Sequence, residues 1–460
     1  MNKEHLFADF PAVSVKAWKQ KIQADLKGAD YNETLVWESP EGIKVKPFYT
    51  SDDLNEGPVN SPASTSNWLI GQHILVTDGP EANHRAIKSL KNGAESLIFT
   101  LVNADVEPTE LLKGIDINST PIHFLFQFLS VTYIKDLLVY TDRAKGNIYF
   151  HIDILGNLCR TGNWVTDFES DHAALKEILN EARNTPTLSI DVSLYQNAGA
   201  NRTQQLAYAL GHVSEYLNFL NEKKVLHSNL KVCFKIAVDG NYFFEIAKLR
   251  ALRLLWKTIA AEFGVLADCH ILACPSKRNK TIYDYNVNLL RTTTECMSAI
   301  LGGADTVFNM PYDAVYHKSN EFGERIARNQ LLILKGESYL DKVTNPSDGT
   351  YYIESLSQQL AENALSIFKQ IEEGGGFLKQ LKAHNIQRKI KESALKQQIL
   401  YDSGEEILVG SNKYFNEMEK MKQELEKNPF IKKNFRKTII EPIIEIRLSE
   451  SSEKTRLDHE

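Results

Sequence analysis

Cysteine is scarce in this chain. Five residues (Cys159, Cys233, Cys269, Cys274 and Cys296) are spread over 460 positions. So sparse and odd a set excludes a disulfide framework and points to reduced, buried thiols in a cytosolic protein. Cys269 and Cys274 have no companion ligands at zinc-site spacing. Charge of one sign is also lacking. The formal net charge is -6, with no basic stripe of the kind that binds nucleic acid. No run approaches the ~20 apolar residues of a membrane span. The opening MNKEHLFADFPAVS has no apolar stretch of signal-peptide length, which leads us to expect a cytoplasmic protein. No glycine-rich dinucleotide or Walker fingerprint follows any strand-like segment.

What is present is ordinary for a folded chain: 43% apolar and 24% charged residues, enough for a large core. Eight short apolar runs recur at 72–76, 97–102, 122–129, 147–155, 187–194, 231–238, 270–274 and 306–310. Most are near-continuous in Ile, Val, Leu and Phe, as in strands covered on both faces of a parallel sheet. Helical patterns lie between them. From Asn201, Leu206, Leu210, Val213, Leu217 and Leu220 mark one stripe; from Asn241, Phe243 to Phe263 mark another, with Gly264 as the C-cap. Shorter helices are predicted at 80–94 and 171–184, the second capped by Asp171 or Ser170. Alternating strands and helices define βαβ units. Eight of them predict an α/β fold, a (β/α)8 TIM barrel, in preference to an open doubly wound sheet. The predicted layout is an N-terminal arm at 1–67, the barrel at 68–340, a helical extension at 341–415 and a charged tail at 416–460. The glycine run 374–376 should end one helix and start another. The last ten residues, SSEKTRLDHE, read as a solvated or disordered end.

The stretch 283–329, with LLRTTTECMSAILGGADTVFNMPYD at its centre, resembles the barrel domain of the methylmalonyl-CoA mutases. These rearrange a carbon skeleton by radical chemistry on adenosylcobalamin. FFEIAKLRALRLLW (243–256), EFGERIARN (321–329), NPSDGTYYIE (345–354), IEEGGGFLKQL (371–381) and LVGSNKY (408–414) resemble family segments in the same order. The resemblance covers about residues 10–415.

Within that framework, positions that carry reacting groups in catalytic members are occupied otherwise. When the family's Gly-Ala after the fifth strand is set on Gly199 and Ala200, its Tyr-His pair falls on Ser193 and Leu194. Leu194 cannot donate a hydrogen bond to a thioester carbonyl, and losing such a donor costs about 10²–10³-fold in rate. Tyr195 is one position out and, in a strand, would face the other way. The substrate-facing glutamine falls on Tyr283. The radical-proximal tyrosine falls on Ala63 and the family's arginine on Ser66, with no Thr-Met-Tyr or Arg-Pro-Trp string anywhere. No counterpart is found for the arginine that binds the substrate carboxylate. Asp268, His270 and Ala273 approach the cobalt-ligating Asp-x-His-x-x-Gly signature, but the glycine is lost and the segment sits in the seventh strand; a packed strand histidine is the plainer reading. Arg250 and Arg253 are expected to pair with carboxylates rather than phosphate. The scattered His73, His123, His151, His212 and His317 show no ligand spacing.

The resemblance therefore implies the small (β) subunit of a heterodimeric methylmalonyl-CoA mutase. It implies a truncated form without the C-terminal cobalamin-binding domain, which would need roughly a hundred residues or more. No catalytic, cofactor-binding or metal-ligating residue is expected on this chain. Adenosylcobalamin would be held by the large (α) subunit, the acyl-CoA substrate would be turned over in the complex, and the N-terminal arm would contribute to the dimer contact. Two other readings stay open. One is a barrel of another acyl-CoA mutase that pairs with a separate cobalamin-binding chain. The other is a homo-oligomeric CoA-ester binder of an unrelated class.

Overall fold

The computed structural model describes residues 13–54, 66–141, 148–183, 185–431 and 436–460. Eight parallel strands form the centre: β1 (Leu69–Val76), β2 (Ser96–Leu101), β3 (Ile122–Phe126), β4 (Ile148–His151), β5 (Leu188–Asp191), β6 (Val232–Val238), β7 (Cys269–Pro275) and β8 (Thr306–Phe308). Neighbours in sequence are neighbours in the sheet, and β8 pairs with β1. The last seam, between β4 and β5, is closed by the bridge Ile152–Leu188 and by bonds from Phe150 N to the Pro186 carbonyl (2.8 Å) and from Ile152 N to that of Thr187 (3.1 Å). This is the predicted (β/α)8 barrel.

All eight predicted strands exist, but three end three or more residues before their apolar runs do. The run 122–129 ends at Phe126. The run 147–155 ends at His151, because Asp153 accepts a hydrogen bond from Gly156 N and starts the helix Ile154–Thr161. The run 187–194 ends at Asp191, and Ser193–Asn197 form a short helix. After His151 and Asp191 the apolar string continues because the following turn is also buried, whereas after Phe126 the turn is only partly covered.

The long helices fall where the apolar stripes put them. Arg202–Glu222 opens on an Asn201/Gln204 capping box, and Tyr242–Phe263 ends at Gly264 with φ 65°. The helix Phe168–Glu181 is capped by Asp167, not by Asp171 or Ser170; Asp167 accepts from Ser170 N. The buried Asp171 instead accepts from Val165 N and Thr166 N. The glycine run 374–376 separates Tyr351–Glu373 from Phe377–Lys382. Among the described residues no helix is long and apolar enough to cross a membrane.

The arm is tied to its own barrel by charge. Glu41, with no exposed side-chain surface, accepts from Arg202 at 2.9 Å. Arg202 also contacts Glu245 (2.7 Å) and Asp239, and Lys248 sits 2.6 Å from Glu245. Three carboxylates on one buried guanidinium join the arm, the end of β6 and two helices. By contrast the arm helix Val15–Asp25 buries no residue, and its Trp18 is 52% exposed.

The C-terminal end is helical rather than disordered, while most of residues 451–460 remain exposed as a solvated end would be. Glu450–Asp458 is a helix with Glu453 and Leu457 buried, and Ile440, Ile443 and Leu448 lie in apolar clusters before it. The segment is charged in composition, yet Ile440, Ile443, Leu448 and Leu457 are buried and Glu445, Glu453 and Glu460 are paired.

Arg202→Met should strand Glu41, Glu245 and Asp239 without their shared cation and cost about 3–5 kcal/mol. Urea denaturation would show this, together with faster proteolysis at the junction of arm and barrel.

Candidate functional site at the barrel mouth

Strand side chains alternate between two destinations. Ile70, Ile74, Leu97, Phe99, Ile122, Phe124, Ile148, Phe150, Leu188, Ile190, Val232, Phe234, Ile271 and Val307 join the core shared with the surrounding helices. The intervening residues meet on the barrel axis. Ile98, Cys233, Leu272 and Phe308, with Leu125 and Cys274, form a separate apolar cluster.

Around that cluster stand four histidines that the sequence reading left scattered or treated singly. His123 Nδ1 and His151 Nε2 share a hydrogen bond at 3.0 Å, and His151 Nδ1 reaches Ser189 Oγ at 2.9 Å. The rings of Tyr149, His123 and His270 meet in a triangle, with Tyr149 4.4 Å from His123 and 4.5 Å from His270 and the two imidazoles 5.0 Å apart. His73 bonds Thr100 at 2.9 Å and stacks on Phe308. The signal was present in the sequence: each of these histidines sits on a strand, out of phase with the helix-facing apolar set.

Packing on the axis is tight. A β-carbon added at Gly71 would stand 2.6 Å from Ile98 Cδ1. The interior is thus lined by imidazoles, a phenol and apolar groups rather than by open space.

Active sites of such barrels form at the C-terminal ends of the strands. There Asp191, ending β5, accepts from Arg160 (2.6 Å) and Lys235 (3.1 Å) and is contacted by Ser193 Oγ. Leu194 is completely buried in the helix-side core. Tyr195 belongs to a helical turn, so strand alternation does not govern it. Its hydroxyl lies 2.9 Å from His212 Nδ1, within a buried chain in which Asp153 takes hydrogen bonds from His212 Nε2 (2.8 Å) and Tyr216 (2.7 Å). Burial pushes the Tyr195 hydroxyl well above its ordinary pKa. Gly199 has φ 96°, and a β-carbon there would meet Ala394 at 2.6 Å; its place in the motif is explained by backbone geometry.

Tyr283 is buried, and its hydroxyl donates to Glu460 at 2.6 Å, with the Arg456 guanidinium 3.8 Å from its ring centre. Ala63 lies outside the described residues.

Asp268 and His270 do not act together. The Asp268 side chain is 84% exposed beside Arg253, whereas His270 turns to the axis and bonds Thr306 at 3.2 Å. Among the described residues no three His, Cys, Asp or Glu side chains converge as metal ligands. A cobalt-ligating arrangement on this chain does not fit these side chains. Arg250 pairs with Asp348 and Glu354, and Arg253 with Asp305 and the Gly303 carbonyl. His317 contacts Asp313.

The protein is thus a (β/α)8 barrel whose axis is packed with side chains. A family model described as methylmalonyl-CoA mutase matches residues 102–457, and the chain belongs to that family. The methylmalonyl-CoA mutase small subunit of Porphyromonas gingivalis is 35% identical over 451 residues, an alignment covering 90% of this chain and 72% of that protein. That of Streptomyces virginiae is 30% identical, covering 81% and 65%. The methylmalonyl-CoA mutase of Rhizobium meliloti is 30% identical, covering 87% and 64%. The chain thus spans about two thirds to three quarters of the length of these relatives.

Two outcomes follow from this geometry. Burial on the crowded axis lowers the pKa of His73 to about 4 and of His270 to about 3; Lys235, Lys277 and Arg85 add to the first, Arg253 and Lys231 to the second. In the unfolded chain these groups titrate near 6.5. The unfolded state therefore binds more protons below that pH, and their contribution, complete above about pH 6.5, is lost as pH falls towards 4 and then 3. Urea midpoints should decline from pH 7 to pH 5, and less steeply in His270→Leu. Leu194→His should bury an unpaired polar group in the core, costing about 2–4 kcal/mol. Denaturant unfolding would measure that loss, and mutase assay should detect no turnover by this variant alone.

Proposed function

We propose that this chain is the small, non-catalytic subunit of a heterodimeric, adenosylcobalamin-dependent methylmalonyl-CoA mutase. The complex would interconvert (R)-methylmalonyl-CoA and succinyl-CoA in the cytoplasm. The methylmalonyl-CoA mutases are isomerases that use adenosylcobalamin, and in this reading the large subunit holds the cofactor and the acyl-CoA. The small chain acts as a scaffold that keeps the large one in its working shape. The arm, residues 1–67, supplies part of the contact; its helix Val15–Asp25, with no buried residue, is free to pack against another chain.

The observation that carries this reading is the fate of the site positions within a matching framework. Leu194 is sealed in the core, Ser193 is engaged with Asp191, and Tyr283 is engaged with Glu460 and Arg456. None is left to meet a thioester. The axis carries bulky side chains where a substrate would need room. Two relatives named as small subunits support a partner chain.

The purified chain, supplied with adenosylcobalamin and methylmalonyl-CoA, should show no turnover. Activity should appear when the large chain is added, with the two co-eluting on size measurement. Turnover by the small chain alone would overturn the reading.

A further inference from the structure

The C-terminal segment does more than end the chain. Residues 439–460 cross the loops that follow three barrel strands. Ile439 and Ile440 donate to the Gly162 carbonyl, Ile443 to that of Cys159, Ile446 to that of Asn197 and Leu448 to that of Arg278. Gly162, at φ 78°, permits the approach; a β-carbon there would stand 2.6 Å from the Ile440 oxygen. Arg447 reaches the Lys280 carbonyl and pairs with Glu453, which accepts from Ile282 N at 2.9 Å. Tyr283 then fixes the far end between Arg456 and Glu460, whose other oxygen accepts from Met421 N and Lys422 N, both at 2.9 Å.

At the start of this strap one carboxylate is set among cations. Glu445 lies 3.1 Å from Arg160 and 3.1 Å from Lys277, and takes a 3.4 Å bond from Asn197. Arg160 and Lys235 also share Asp191. Without Glu445 the group would hold three cations (Arg160, Lys235, Lys277) against one carboxylate. Burial alone would raise the Glu445 pKa, but Lys277 and Arg160 hold it at about 2.

We propose that the strap fills a latent anion site at the barrel mouth with its own carboxylate. Glu445 stands where a phosphate or phosphate-bearing ligand would otherwise sit between Arg160 and Lys277, and Tyr283 is the catch that keeps the strap in place. The inference rests on the reading that this mouth handles no substrate of its own. Its readout is binding rather than turnover, so the two fail separately.

The test uses the full chain and two probes, inorganic phosphate and free CoA, followed by calorimetry and by the rise in melting temperature. Glu445→Gln removes the charge that pins this side chain between Arg160 and Lys277, so that an anion can displace the neutral amide. It should bind phosphate at least ten-fold more tightly than the unaltered chain, and adding Lys277→Gln should abolish the gain. Equal affinities for both probes would assign the site to simple phosphate, whereas tighter CoA binding would assign it to a phosphate-bearing ligand; either supports the proposal. Tyr283→Phe, remote from the charge cluster, serves where Glu445→Gln fails to fold. It should speed hydrogen exchange in 445–460 several-fold and raise phosphate affinity measurably. No gain in affinity in either variant, or a gain that survives loss of Lys277, would overturn the proposal. Exchange in 445–460 that is unchanged in Tyr283→Phe would overturn the role of the catch.

Discussion

The alternation of side chains along eight closed strands governs this molecule. Each strand must satisfy two environments at once: a helix-facing layer that accepts only apolar groups, and an axis that has to be filled. The outer set is conventional. The inner set combines His73, His123, His151 and His270 with Tyr149, Ile98, Leu272 and Phe308. Polar rings remain on the axis because each finds a hydrogen-bond or stacking partner there, as buried polar groups must. One atom, His123 Nε2, has no hydrogen-bond partner. A barrel filled in this way keeps an apolar outer framework around an axis packed with rings and aliphatic groups.

Much of this was legible in the sequence. Eight apolar runs gave eight strands, and stripes at helical spacing gave the long helices with their Asn201 and Gly264 caps. Strand ends were the weak point. At 154–155 and 192–195 apolar residues continue past the strand, and only the capping chemistry of Asp153 and Asp191 marks the change. The helical order of the tail was missed for a related reason. Composition registers the many charges of 416–460 but not that Glu453, Arg447 and Glu460 are spent on specific partners. The axial histidines come from four different strands, and their convergence is a property of the closed barrel rather than of any local string.

Charge joins the burial of Ile43, Ile440 and Ile443 in fastening the peripheral segments to the barrel. Arg202 holds the arm through Glu41, while Arg160 and Lys277 hold the tail through Glu445. Isolated surface pairs contribute little. Arg202 differs because it is nearly buried and shared among three carboxylates, and Arg160 because it is shared between Asp191 and Glu445. Both attachments lie near the C-terminal ends of β5, β6 and β7.

The closure between β4 and β5 has a mechanical consequence. Among the described residues it rests on one bridge and a few main-chain bonds, whereas β6 and β7 pair over seven residues. The cylinder is therefore stitched unevenly. When it breathes, this seam should unzip before the others, admitting water first to His151 and Ser189, which face each other across it.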